Sequence, residues 1–213
     1  MEGLTMPVIE FDQLSHVEIY TLSPDNKWVP LREFIAKAEE RLDTLQEGIH
    51  KFCVIWDLDG VLADSDHRLH YIVVDRANPD WETFHAHTLK DSPIRSGCTL
   101  FWALDFFGVS NIICTARPES NRELTEQWLQ EKCLKPAKLM MRKEGDHRPG
   151  CEVKRDMLHE LWDEGYEVIL AFDDHPEIVN MYRTEGVPCF AADPRHWDEQ
   201  TVQAIAAKYK RAE

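Results

Sequence analysis

From Phe52 onward, short apolar runs alternate with stretches whose apolar residues recur at helical spacing, the pattern of repeated strand–helix units around a parallel sheet. The runs Phe52–Trp56, Asn111–Cys114, Lys138–Met141, Glu167–Phe172 and Pro188–Ala191 read as strands. Helices are expected near Gly97–Phe107, Ser120–Glu131, Val153–Glu164, Glu177–Glu185 and Asp198–Tyr209. Ahead of these units, residues 1–50 carry a short strand around Val17–Leu22, a turn at Ser23–Asn26 and an amphipathic helix from about Leu31 to Gln46. In that helix Phe34, Ile35, Ala38, Leu42 and Leu45 form one apolar face, so residues 1–50 are expected to be an extension packed on a catalytic domain of residues 51–213. The expected architecture is an α/β, Rossmann-like three-layer fold with a central, mainly parallel sheet. In such sheets the reactive groups gather beyond the carboxyl ends of the strands, which directs attention to the residues after each run.

Composition narrows the class. With 43% hydrophobic and 30% charged residues the chain is an ordinary globular protein, and its 213 residues suit one α/β domain with a small appendage. No apolar run approaches the roughly 20 residues of a membrane helix, and the start Met1-Glu-Gly-Leu-Thr-Met-Pro7 has no export signal, so a cytoplasmic location is expected. The six cysteines and ten histidines are scattered without metal-ligand spacing, so free thiols are expected and zinc is not. A net charge of −15 argues against non-specific coating of nucleic acid. Locally the balance reverses: from Lys135 to Arg155 seven cations face Glu144, Asp146 and Glu152.

The chemistry-bearing residues fall at strand ends. After the first run comes Asp57-Leu58-Asp59-Gly60, two carboxylates one residue apart on a turn, an arrangement that is costly without a cation or positive groups nearby. A carboxylate can attack phosphorus and split one hydrolysis into two transfers, and a neighbouring acid can handle the proton of the leaving oxygen. Thr115-Ala116-Arg117 follows the second run and offers a hydroxyl and a guanidinium to a phosphoryl oxygen. Lys154 begins the helix after the third run, and Asp173-Asp174 ends the fourth. Acids from two strand ends suit Mg²⁺, which takes a few carboxylate oxygens and keeps several waters.

Taken in this order, Asp57-Leu-Asp59-Gly-Val-Leu62, Thr115, Lys154 and Asp173-Asp174 resemble the four-motif signature of the haloacid dehalogenase superfamily. The resemblance implies that Asp57 is the nucleophile, Asp59 the general acid/base, Thr115 and Lys154 phosphate binders, and Asp57, Asp59, Asp173 and Asp174 the magnesium site, with Asp174 the more direct ligand of the last pair. A closer resemblance is to the 3′-phosphatase domain of phage polynucleotide kinase/phosphatase, carried by Arg142–Lys154 and by Asp173-Asp-His-Pro-Glu-Ile-Val-Asn-Met-Tyr-Arg183. It implies substrate-handling roles for Arg68 and Arg117, with Arg142 a further candidate. Gly150 departs from that pattern, which has an aspartate there to orient the motif lysine. A Gly-x-x-x-x-Gly-Lys-[Ser/Thr] loop is lacking, so phosphatase activity without the kinase is expected.

Roughly 30 residues separate Asp64 from the next core helix, enough for a turn and a short helix but not for a separate cap fold. An open site would admit a strand end, and Tyr71, Trp81 or Phe84 would either stack on a base or pack in the core. The leading expectation is therefore a Mg²⁺-dependent phosphomonoesterase that removes 3′-phosphates from nucleic-acid ends, with the Lys135–Arg155 run on the backbone. Two alternatives stay open: a phosphatase of free nucleotides or another small phosphomonoester, and a catalytically silent binding protein on the same fold.

Overall fold

A computed structural model describes residues 20–22, 28–30, 51–192 and 198–210. The chain divides into two compact units, Met1–His50 and Lys51–Glu213. In the first, β1 (Tyr20–Leu22) pairs antiparallel with β2 (Trp28–Pro30), Thr21 opposite Val29. The described part of the expected Val17–Leu22 strand is β1, whereas the turn at 23–26 and the helix at 31–46 lie outside the described residues.

The second unit is built on five parallel strands in the order β7-β6-β3-β8-β9, with β3 at Lys51–Trp56, β6 at Ser110–Pro118, β7 at Lys138–Arg142, β8 at Tyr166–Asp173 and β9 at Cys189–Ala191. Each expected strand is present, extended or trimmed by a few residues at its ends. Successive side chains on a strand point to opposite faces, and β3 shows the consequence. Cys53 and Ile55 enter one core with Val153, Met157, Leu158 and Leu161 of α5 (Gly150–Asp163) and Ile178, Val179, Met181 and Tyr182 of α6 (Pro176–Thr184). Val54 and Trp56 enter the other with Cys98 and Phe101 of α3 (Arg95–Phe106) and Trp128 and Leu129 of α4 (Arg122–Glu131). A sheet apolar on both faces between two helix layers is the three-layer α/β/α arrangement the alternation predicts.

The sheet order puts a topological switch at β3, because the chain runs outward through β6 and β7 and then returns to β8 on the other side of β3. A crevice opens at such a switch beyond the carboxyl ends of the strands. The turn leaving β3 is tight. Leu58 O accepts the amides of Val61, Leu62 and Ala63 at 3.2, 2.9 and 2.8 Å, and Gly60 adopts φ 83°, a conformation that favours glycine. Helix α3 is seated against this turn so closely that a Cβ on Gly97 would lie 2.2 Å from Val61 O. Bulk at position 97 would therefore push the turn that carries Asp57 and Asp59.

Between β4 (Ala63–Asp64) and β5 (Ser92–Pro93) the insert forms a 3-10 turn at Asp66–Arg68, α1 (His70–Val73), α2 (Trp81–Ala86) and a second 3-10 turn at Thr88–Lys90. This is two short helices where one was expected. Asp80 caps α2 by accepting the amide of Thr83 at 2.9 Å. The last helix, α7 (Glu199–Lys210), packs against α1 and the first 3-10 turn, so it braces the insert. All six cysteines are free thiols, as expected. Among the described residues no helix is long and apolar enough to cross a membrane.

Candidate active site

Asp57 leaves β3 with its amide donating to Phe172 O at 3.0 Å, which fixes the start of the turn against β8. Asp173 is the last residue of β8 and Asp174 follows it. Lys154 stands in the second turn of α5, buried to 1% exposure. Its ammonium bridges the two strand ends, 2.7 Å from Asp57 Oδ1 and 2.6 Å from Asp173 Oδ2. Asp173 Oδ1 also accepts the amide of His175 at 3.0 Å. Asp57, Asp173 and Asp174 are all buried, and one oxygen of each lies within 4.8 Å of the others.

This cluster is short of positive charge. Burial pushes the Asp57 carboxyl well above the usual carboxylate range; Lys154 opposes the shift, while Asp173, Asp174 and Asp59 add to it. Asp173 is raised for the same leading reason, with Lys154 again opposing. Burial works against the Lys154 ammonium, but Asp173 and Asp57 outweigh it and hold the lysine charged. Three acids around one lysine, with burial resisting the ionisation of Asp57 and Asp173, form a donor set suited to a divalent cation with oxygen preference, because the ion supplies the missing charge. The acid set fits the magnesium expected from the sequence.

A second network lies beside the first and is built differently. Asp59 accepts from Arg117 Nε at 2.9 Å and Nη2 at 2.7 Å, and from Arg68 Nη2 at 2.5 Å. Asp91, at 1% exposure, accepts from Arg68 Nε and Nη2, both at 2.7 Å, and from Arg117 Nη2 at 2.9 Å, with His67 Nε2 2.9 Å away. Burial acts to raise the Asp59 carboxyl, but Arg117 and Arg68 outweigh it and hold it below the usual range. The Asp59 side chain is thus turned to the arginines and stands outside the Asp57-Asp173-Asp174 group. Both arginines are fully buried and bind protein carboxylates as the structure stands.

The other sequence candidates sit as follows. Thr115 is buried within β6, three residues before its end, its hydroxyl accepting the amide of Arg117 at 3.2 Å. Arg142, half-buried, donates to the carbonyls of Ala116, Asp146 and Arg148, so it supports the loop between β7 and α5. A Cβ added at Gly150 would meet Ile178 at 3.5 Å and Arg142 at 4.0 Å, ordinary contact, and Lys154 is positioned by Asp57 and Asp173 without any side chain at 150. Much of the basic run is neutralised within the fold: Lys138 pairs with Glu160 and Glu164, Arg148 with Asp146 and Asp156, and Arg155 with Glu185. Phe84 is core, buried beneath the Arg68 guanidinium at 4.0 Å, and is not available to stack on a base. Sequence reasoning missed Asp91 and His67. Asp91 is one of 39 acidic residues and has no motif around it; its one signal is a lone acid at the end of the insert, just before Ser92-Pro93.

The parallel sheet with its switch at β3, and the aspartates and lysine gathered there, define a haloacid dehalogenase-type phosphatase, a hydrolase. Within that class the chain belongs to the family of the polynucleotide kinase PNKP phosphatase domain, whose model matches residues 51–197. Among solved structures, a chain of the Pnkp1/Rnl/Hen1 complex is similar over 67% of this protein at 25% identity with a TM-score of 0.54; the match spans 46% of that chain. The class C acid phosphatase from Bacillus anthracis with tungstate bound shares the fold over 84% of this protein and 86% of its own chain, at 11% identity and a TM-score of 0.50. No curated protein matches.

Proposed function

We propose that the protein removes 3′-phosphates from nucleic-acid ends through an aspartyl-phosphate on Asp57, with Mg²⁺ as cofactor. The observation that carries this reading is Asp57 held by Lys154 beside two further buried acids, in a chain of the PNKP phosphatase family. Asp57 Oδ attacks phosphorus as the bond to the leaving 3′-oxygen breaks, and Asp59 delivers a proton to that oxygen. Water then attacks the acyl-phosphate with Asp59 taking its proton, the P–Oδ bond breaks, and inorganic phosphate leaves. Asp57, Asp173 and Asp174 would hold the magnesium, which when bound supplies positive charge to the carboxylates and to the transferring phosphoryl group. Lys154 and the Thr115 hydroxyl orient the phosphoryl oxygens. The substrate's negative charge competes for Arg68 and Arg117, and as their hold on Asp59 loosens that carboxyl can take up the proton it donates.

The test is phosphate release with Mg²⁺ from a 3′-phosphorylated oligonucleotide, its 5′-phosphorylated counterpart and free nucleoside monophosphates at equal concentration. The 3′-phosphorylated strand should be preferred. Preference for free nucleotides would replace this reading with a nucleotide phosphatase, and no release from any of them would remove it.

A further inference from the structure

The acids, arginines and lysine described so far account for the phosphate and leave the group that carries it without a partner. That group must lie beside Asp59, since its oxygen receives the proton there. The insert supplies an unassigned residue at this point. Helix α2 is moored to the arginine network through Phe84, whose ring lies 4.0 Å under the Arg68 guanidinium and whose carbonyl accepts from Arg68 Nη1 at 3.4 Å. The next residue, His85, stands within the electrostatic reach of Asp59, Arg68, Arg117 and Arg142. Its Nδ1 is buried and has no hydrogen-bond partner. A buried polar nitrogen left unpaired is costly, and one beside a reaction centre marks a place a substrate atom can fill.

One turn earlier on the same face, the Trp81 indole stacks on the His85 ring, centroids 5.9 Å apart and planes 21° from parallel, and meets Phe84 edge-on at 5.7 Å. Trp81 is nevertheless 51% exposed. The indole is therefore held in one orientation by two rings while a broad aromatic surface stays open to solvent. Such a surface takes another flat ring at little ordering cost, and base–aromatic stacking is tolerant of which base arrives.

We propose that Trp81 and His85 form a leaving-group subsite: Trp81 stacks the nucleobase of the nucleotide that carries the phosphate, and His85 Nδ1 makes a hydrogen bond to that nucleoside. The proposal rests on the reading of a nucleic-acid or nucleotide substrate but not on the choice of a 3′-end. It predicts a ratio: kcat/KM for a nucleoside 3′-monophosphate over kcat/KM for glycerol phosphate, which has no ring. Wild-type protein should favour the nucleoside substrate by tenfold or more. Trp81→Ala should lower the ratio about tenfold, Trp81→Phe should keep most of it, and His85→Phe, which keeps the ring but removes the nitrogen, should raise KM for the nucleoside substrate about fivefold. Equal use of both substrates by wild-type protein, or a ratio that Trp81→Ala leaves within twofold, would overturn the subsite. The two ideas fail separately: wild-type preference for free nucleotides over a 3′-phosphorylated strand removes the end-processing role, while a ratio that still falls in Trp81→Ala upholds the subsite.

Discussion

Two buried carboxylate clusters sit a few residues apart in this fold and are compensated in opposite ways. Around Asp57 three acids share one lysine. Around Asp59 two acids share two arginines, with His67 at the edge. The first cluster is left wanting a cation, and its Asp57 and Asp173 resist ionisation; the second is neutral by itself and holds Asp59 ionised. The difference is one of charge balance: the Asp57 cluster is left open, with acid in excess of its one lysine, and the Asp59 cluster is closed, its two acids matched by two arginines.

The largest expected effect is on turnover. Asp57→Asn should lower phosphate release by at least about 10³-fold, measured under saturating Mg²⁺. The same variant sharpens the contrast in stability, because a carboxylate whose ionisation the fold resists is relieved by neutralisation. In EDTA, Asp57→Asn should melt higher than wild type. Asp91→Ala should do the reverse, leaving two buried guanidiniums to share Asp59 and costing about 3–5 kcal/mol in denaturant unfolding. If both variants shifted stability in the same direction, the distinction between an open and a closed cluster would fail.

Next in size is the response to metal. Mg²⁺ at 100 times its Kd should stabilise the folded state by about 2.7 kcal/mol, read as a rise in Tm over EDTA, and Asp174→Asn should blunt that rise. The smallest effect is on the acid side and belongs to His85. Burial lowers its pKa from 6.5 to about 4, with Asp59 opposing and Arg68, Arg117 and Arg142 assisting. Between these values the unfolded chain binds a proton that the folded chain refuses, so stability falls as pH drops from 6.5 towards 4. The loss is at most about 2 kcal/mol after allowance for partial solvent access, and His85→Gln should flatten that part of the pH profile.

The strands and core helices were legible because burial on both sheet faces writes continuous apolar runs and buried helix faces write helical spacing. Asp57, Asp173 and Asp174 were legible for a related reason, each standing at or just past a strand end that the pattern locates, and Lys154 because it stands near the start of the helix expected after the third strand. The closure of Asp59 by Arg68 and Arg117 through Asp91 was not. That network joins residues 59, 68, 91 and 117, and no periodicity reports which of many charged side chains fold inward. The neutralisation of the basic run was hidden likewise, since Glu160 near the end of α5, Glu164 just after it and Glu185 just after α6 lie outside the run in sequence and meet Lys138 and Arg155 only in the fold.

The contact between Arg68 and Asp91 has a consequence for how this fold can vary. The two residues stand at the beginning and end of the insert and are bonded to each other, so the chain between them is a loop tied at its neck. Lengthening a loop whose ends are already fixed is inexpensive, about 0.6 kcal/mol per doubling. Residues 69–90 are in that sense an exchangeable cassette. A different sequence grafted between the same arginine and aspartate, with Phe84 kept beneath the Arg68 guanidinium, would present a new surface above the same carboxylates.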